Sequence, residues 1–362
     1  MDNQETNISH DIADEKIPTI LNSSQEKNYD ISLNYINLEE DLKEDLKEDL
    51  KEDLEEDLKE DLEEDLEEDL DEDLREDCND KKLIIANYDT LVLSGCSQKG
   101  FITLGALQYC NDNFFLTDIK YLIGTSAGAI ICYLLVIGYT PIEIMVYLCT
   151  NQILERMQHF NIVGMIQGNG ASTFNHLQEH LEKMTIEKIG YLPTMLDLYE
   201  KTGKTLVCIT HNVSKNITEY ISHETNPSIP CLTALHMSAN LPLIFDKYKY
   251  GNSFYVDGGL SDNFGIQMGD KLGNKVLGIL LCGDLDNNNC HIDGEIDSIE
   301  YIYKLLLIPI DKATDYKISL ASDKCDIIQL KSIPKKFFNF DMNSKEKMEM
   351  FCAGYNQIRE II

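Results

Sequence analysis

Hydrophobic and polar positions divide the chain into two unlike parts. Through residues 39–77 a tetrapeptide resembling Glu-Asp-Leu-Lys/Glu repeats, with nine leucines from Leu42 to Leu74 spaced by four. On a helix of 3.6 residues per turn each step of four overshoots a full turn by about 40°, so the leucines spiral and form no lasting stripe. The same period sets Asp over Asp and Glu over Glu at i and i+4, where like charges repel. Residues 1–80 are therefore expected to be a disordered acidic tail, with cation binding or docking to a partner as the functional alternative.

From about Leu83 short apolar runs alternate with small and polar clusters. Residues 90–94, 121–123, 204–210, 217–222, 254–256 and 276–282 read as strands, the third and fourth joined by a turn over 211–216. Helices are expected through Ile102, Leu107 and Tyr109, over the all-apolar run 129–137, and from the capping box Thr140-Pro141-Ile142-Glu143 to about Met157. Further helices are expected through His176, His180 and Met184, around 196–199 up to Gly203, and over 231–239, 299–307 and 345–361. Glycines and small polar residues between Asn161 and Thr173 suggest a mobile loop. Strand and helix alternate from the start, which implies an α/β fold with a parallel sheet covered on both faces, and residues 81–362 read as one domain. The run 121–138 is long enough to suggest a membrane span, but a capped amphipathic helix follows it directly, so a buried core helix is the better reading.

Composition sharpens this division. The 362 residues are 43% hydrophobic, ample for a core, and carry a formal charge of −32. Residues 1–80 hold 33 acidic and 7 basic side chains, which leaves 30 acidic and 24 basic, a net of −6, for residues 81–362. Neither part has the basic excess that nucleic acid requires, and an anionic membrane would repel the tail while tolerating the body. Eleven cysteines without a CxxC pair suggest reduced thiols and an intracellular, cytoplasmic or membrane-peripheral home. No metal site or cofactor is expected, and the first residues lack the basic start and apolar stretch of a signal peptide.

Candidate chemistry centres on Gly124-Thr125-Ser126-Ala127-Gly128. Gly-x-Ser-x-Gly between a strand and a helix is the pattern of a nucleophile elbow, and Gly124 and Gly128 remove Cβ atoms that would collide in so tight a turn. The serine needs a base and donors for an oxyanion. His291 lies in an Asn- and Asp-rich loop and His236 in an apolar helix, both poor settings for a base. Asp257 ends an apolar strand just before Gly258 and Gly259; it is either a turn aspartate or a base. The loop Gly95-Cys96-Ser97-Gln98-Lys99-Gly100 places backbone N–H groups at a strand-to-helix turn, suited to oxyanion donors. It lacks the Lys-Ser/Thr of a phosphate-binding loop and the central glycine of a dinucleotide fingerprint.

Together these pieces resemble the patatin-like phospholipase family over nearly all of residues 90–265. The loop 93–100 resembles the family's oxyanion loop, Gly124–Gly128 its elbow, and Asp257-Gly258-Gly259, continued by Leu260-Ser261-Asp262-Asn263, its aspartate motif; residues 198–204 and 239–245 agree as well. The resemblance implies a three-layer α/β/α sandwich with a mostly parallel central sheet. It implies a serine lipid acyl hydrolase of phospholipase A or lysophospholipase type, with Ser126 as nucleophile and Asp257 as base of a dyad. Gly95, Cys96, Ser97 and Gly100 would then frame the oxyanion hole, the substrate would be a lipid ester met at a membrane surface, and no metal would take part. Two features depart from the family. Cys96-Ser97 stand where glycines are usual, so a positive φ at either would be strained. Gly265 replaces a common proline. The alternatives are a histidine-dependent serine esterase and a catalytically weak or silent domain serving as an interaction module. Lys99 either approaches a lipid phosphate or is an ordinary exposed lysine.

Overall fold

Four apolar runs that are buried almost throughout form the centre of a parallel sheet: β1 (Thr90–Leu93), β2 (Tyr121–Thr125), β3 (Thr205–Asn212) and β7 (Val276–Cys282). The structure is a computed structural model that describes residues 87–151, 153, 170, 172–282, 298–332 and 342–362, all within one unit, Asp77–Ile362. The acidic repeat, His291 and most of the expected loop between Asn161 and Thr173 lie outside the described residues. Four more strands complete the sheet: β4 (Ile217–Ile221), β5 (Tyr248–Tyr250), β6 (Ser253–Asp257) and β8 (Cys325–Lys331). Their order is β5-β6-β3-β2-β1-β7-β8, with β4 also paired to β3. β3, β2, β1, β7 and β8 run parallel, while β4 and β6 run antiparallel to β3 and β5 antiparallel to β6. The sheet is therefore mixed, with the expected parallel centre. From β1 the chain winds out to β2 and β3, then returns to the other side of β1 through β7 and β8. Such a reversal opens a crevice at the carboxyl ends of the central strands.

Alternation along the strands sends side chains to two cores. Leu91 and Leu93 of β1 join Leu122, Leu206 and Leu277 in the larger core, beneath α1 (Gly100–Asp112), α2 (Ala127–Val136), α3 (Pro141–Thr150), α4 (Asn175–Ile189), α5 (Met195–Thr202) and α6 (Cys231–Ala239). Val92, Ile123, Val207 and Ile209 face the other way, against Phe264 and against Ile266 of α7 (Ile266–Leu272). On that side α8 (Ser298–Ser319) also packs, through Ile318, whereas α9 (Ser344–Ile361) closes the larger core through Met350, Phe351 and Ile358. This is a three-layer arrangement with unequal outer layers.

Several element ends differ from expectation for local reasons. The predicted capping box forms, with Thr140 Oγ1 accepting from Glu143 N–H at 3.3 Å and Glu143 Oε2 accepting from Thr140 N–H at 2.7 Å. α3 ends at Thr150, where Asn151 turns its side-chain amide back onto the Tyr147 carbonyl at 2.8 Å; the expected end near Met157 lies outside the described residues. α8 runs to Ser319 through Pro309, past the expected end at 307, held by the buried Ile310 and Thr314. β5, α7 and β8 were not expected. The run 121–138 is core, as expected: among the described residues no single helix is long and apolar enough to cross a membrane, and α2 and α3 bend by 118° at the break between them.

Candidate active site

The turn from β2 into α2 is a tight one, made by a single residue. Ser126 joins them with φ 56° and ψ −125°, a conformation that stores roughly 1–3 kcal/mol of strain in a residue with a side chain. Close packing over-determines it. A Cβ at Gly124 would collide with the Ala129 backbone and one at Gly128 with the Ser94 carbonyl, so helix and strand approach as only glycine allows. Ser126 N–H donates to Ser238 Oγ of α6 at 3.0 Å, and Ser238 Oγ in turn donates to the Ile209 carbonyl at 2.6 Å. Thr125 Oγ1 donates to the Asp262 carbonyl at 3.0 Å.

Sequence positions 131 residues apart meet here. Ser126 Oγ donates to Asp257 Oδ2 at 2.6 Å, and both are enclosed, with exposures of 8% and 1%. Asp257 Oδ1 accepts from Gly259 N–H at 2.7 Å, and Asp257 N–H donates to the Asn240 carbonyl at 2.9 Å. Gly258 lies so close to β3 that a Cβ would strike the Ile209 carbonyl. Burial pushes the Asp257 carboxyl up to about 6, while the hydrogen bonds from Ser126 and Gly259 pull it down without cancelling that rise. The group is thus ionised at neutral pH yet far more basic than an ordinary carboxylate.

The loop after β1 faces this pair across a shared cavity wall. Cys96 has φ −137°, an ordinary value, whereas Ser97 takes φ 49°, so the strain expected of the Cys-Ser pair falls on Ser97 alone. Gly95 N–H donates to the Asn263 carbonyl at 3.1 Å, and Gly100 N–H to the Ser97 carbonyl. Those two donors are engaged within the protein; among the described residues no acceptor meets the N–H of Cys96 or Ser97. Burial pushes the Cys96 thiol up to about 12, which leaves it protonated and no rival nucleophile. Lys99 Nζ donates to Ser332 Oγ at 2.8 Å on the cavity wall.

Two cavities meet at Ser126. One, of about 140 Å³, is walled almost wholly by apolar side chains such as Phe101, Leu134, Leu181 and Ile244. The other, of about 170 Å³, is more polar and includes Lys99, Asp257, Asn263 and Asp311. Of the two candidate histidines, His291 lies outside the described residues and His236 does not line either cavity. His236 is stacked between Phe174 at 4.0 Å and Tyr248 at 3.8 Å, and burial lowers its imidazole to about 4. Among the described residues no group of three or more His, Cys, Asp or Glu could hold a metal ion. Ser238 and Asn240, which fix the serine turn and the aspartate, escaped sequence reasoning. The available signal was two polar residues at and just after the end of a largely apolar helix.

A doubly wound sheet with a serine–carboxylate pair at the carboxyl edge of its central strands defines the class. Residues 91–269 match the family described as patatin-like phospholipase. A probable lipid hydrolase of Invertebrate iridescent virus 6 is 37% identical over 194 residues, which cover 52% of this chain and 65% of that protein. An uncharacterized protein of Acanthamoeba polyphaga mimivirus is 24% identical over 300 residues, 78% of this chain and 96% of that one. Among solved structures, VipD from Legionella pneumophila matches with a TM-score of 0.46 at 13% identity, over 76% of this chain and 66% of VipD. The type III effector ExoU matches with a TM-score of 0.42 at 13% identity, over 76% and 52%. Over residues 91–269 the chain is thus similar to the patatin-like phospholipase family, and it spans 65% of the length of the probable viral lipid hydrolase it matches.

Proposed function

We propose that the protein is a serine lipid acyl hydrolase in which Ser126 is the nucleophile and Asp257 the general base. The observation that carries this is the 2.6 Å hydrogen bond from Ser126 Oγ to a fully buried carboxylate whose pKa is raised to about 6. Asp257 Oδ2 takes the hydroxyl proton as Ser126 Oγ attacks the ester carbonyl carbon. The N–H groups of Cys96 and Ser97 and the positive end of α2 stabilise the resulting oxyanion. Collapse breaks the ester C–O bond, the leaving alkoxide takes the proton from Asp257, and the acyl group stays on Ser126. Asp257 then takes a proton from water, whose oxygen attacks the acyl-enzyme; the fatty acid leaves and Ser126 regains its proton. The apolar cavity suits an acyl chain and the more polar one the alcohol part of the ester. This division supports a lipid ester, met at a membrane surface, as substrate; the viral relative named a probable lipid hydrolase supports it too.

A fluorophosphonate probe tests the assignment on purified protein. Labelling is expected in wild type, lost in Ser126→Ala, reduced at least hundredfold in rate in Asp257→Asn, and retained in His291→Ala. Labelling that survives Asp257→Asn and vanishes in His291→Ala would support a histidine-dependent esterase. A folded protein that never labels or cleaves an ester would be a silent domain.

A further inference from the structure

We propose that Asp262 is a positioning residue for the Ser126–Asp257 pair, and that its ion pair with Lys317 makes α8 part of the same support. This rests on the assignment of Ser126 as nucleophile. Asp262 is only 4% exposed and touches four separate parts of the molecule. Its carbonyl accepts from Thr125 Oγ1 at 3.0 Å, one residue before the serine. Its N–H donates to the Gly258 carbonyl at 2.8 Å, one residue after the aspartate. Its side chain accepts from Tyr220 Oη of β4 at 2.6 Å through Oδ2, and Oδ1 lies 2.7 Å from Lys317 Nζ of α8. The Lys317 contact is a close ion pair and not an aligned hydrogen bond. The next residue, Asn263, accepts from Gly95 N–H, so the same dipeptide also fixes the start of the oxyanion loop.

A buried carboxylate is expensive to hold unless a cation accompanies it, and removing one partner of such a pair is far worse than neutralising both. A carboxamide at 262 would keep the carbonyl and N–H contacts and still accept from Tyr220. The charge therefore adds one thing, a bond to α8. Ile310 and Asp311 of that helix line the polar cavity beside Ser126, whereas among the described residues none of α8 lines the apolar one. Lys317 thereby ties the wall on the alcohol side to the loop that follows the base.

The test uses the full chain and two readouts, the second-order rate of fluorophosphonate labelling and kcat and KM for a small soluble ester. Lys317→Met leaves an unpaired buried carboxylate and is expected to slow labelling about tenfold, with the loss in kcat and KM within twofold, because the acyl cavity is untouched. Lys317→Arg is expected to restore the rate to within twofold. The double variant Asp262→Asn/Lys317→Met has no charge left to strand but still lacks the tie to α8, so it is expected to recover only partly, to about threefold below wild type, a result that a general loss of packing does not produce. Wild-type labelling in Lys317→Met, or a double variant no faster than Lys317→Met, overturns the proposal and leaves the Ser126 assignment standing. If wild type itself neither labels nor cleaves, the Ser126 assignment fails first and takes this proposal with it.

Discussion

Asp257 must be ionised to accept a proton, and its burial makes that costly. Its carboxyl is ordinary at 3.8 in the unfolded chain and rises to about 6 in the fold. Below about 3.8 both states hold the proton and the aspartate does not penalise folding. As pH rises toward 6 the unfolded state ionises first, so stability is lost across that window and stays lost above it. At 1.36 kcal/mol per pKa unit the full penalty is roughly 3 kcal/mol. Two outcomes follow from one group. The acid limb of kcat/KM should bend near pH 6, and Asp257→Asn should gain stability relative to wild type by roughly 2 kcal/mol between pH 4 and pH 8, read from denaturant melts at both pH values. A flat difference across that range would mean that Asp257 is not held as an ionised, desolvated base.

At the scale of elements, the site was legible where local chemistry alone determines structure. Gly124 and Gly128 announced the turn because no other residue fits there, and Thr140-Pro141-Ile142-Glu143 announced a helix start because its four residues satisfy one another. What was hidden depends on partners distant in sequence. Ser238 reads as an unremarkable small residue in an apolar helix until α6 packs against the β2–α2 turn and its hydroxyl meets Ser126 N–H. β5 is only three residues long, and Pro309 signals a helix end that burial of Ile310 and Thr314 overrides. The distinction can be measured. Ser238→Ala strands the buried Ser126 N–H and Ile209 carbonyl and should cost about 1–3 kcal/mol. Thr140→Ala loses a cap worth about 1 kcal/mol. Both should lower the melting temperature, by about 2–4 °C per kcal/mol in a domain of this size. Only Ser238→Ala should also slow fluorophosphonate labelling of Ser126, since the Thr140 cap touches neither Ser126 nor Asp257. Equal labelling rates in the two variants would remove Ser238 from the support of the turn.

Across the whole molecule, charge separates the two parts of the chain more sharply than any motif does. Residues 1–80 carry a net −26 and the remainder −6, so an anionic surface repels the chain chiefly through its tail. That repulsion reaches about 30 Å at 0.01 M salt and about 3 Å at 1 M, whereas contacts made by the repeated leucines would respond little to salt. We expect a chain beginning at Lys81 to hydrolyse esters in zwitterionic vesicles at the rate of the full chain, within about twofold, because none of the groups assigned to the chemistry lies before Gly95. On vesicles rich in anionic lipid it should be several-fold faster than the full chain at about 10 mM salt, and the gap should close by about 0.5 M. A tail that merely solvates the protein gives this pattern. If the full chain is the faster of the two, or if the difference persists in high salt, the leucine repeat engages the surface or the folded body directly, and the tail belongs to the mechanism of delivery to lipid.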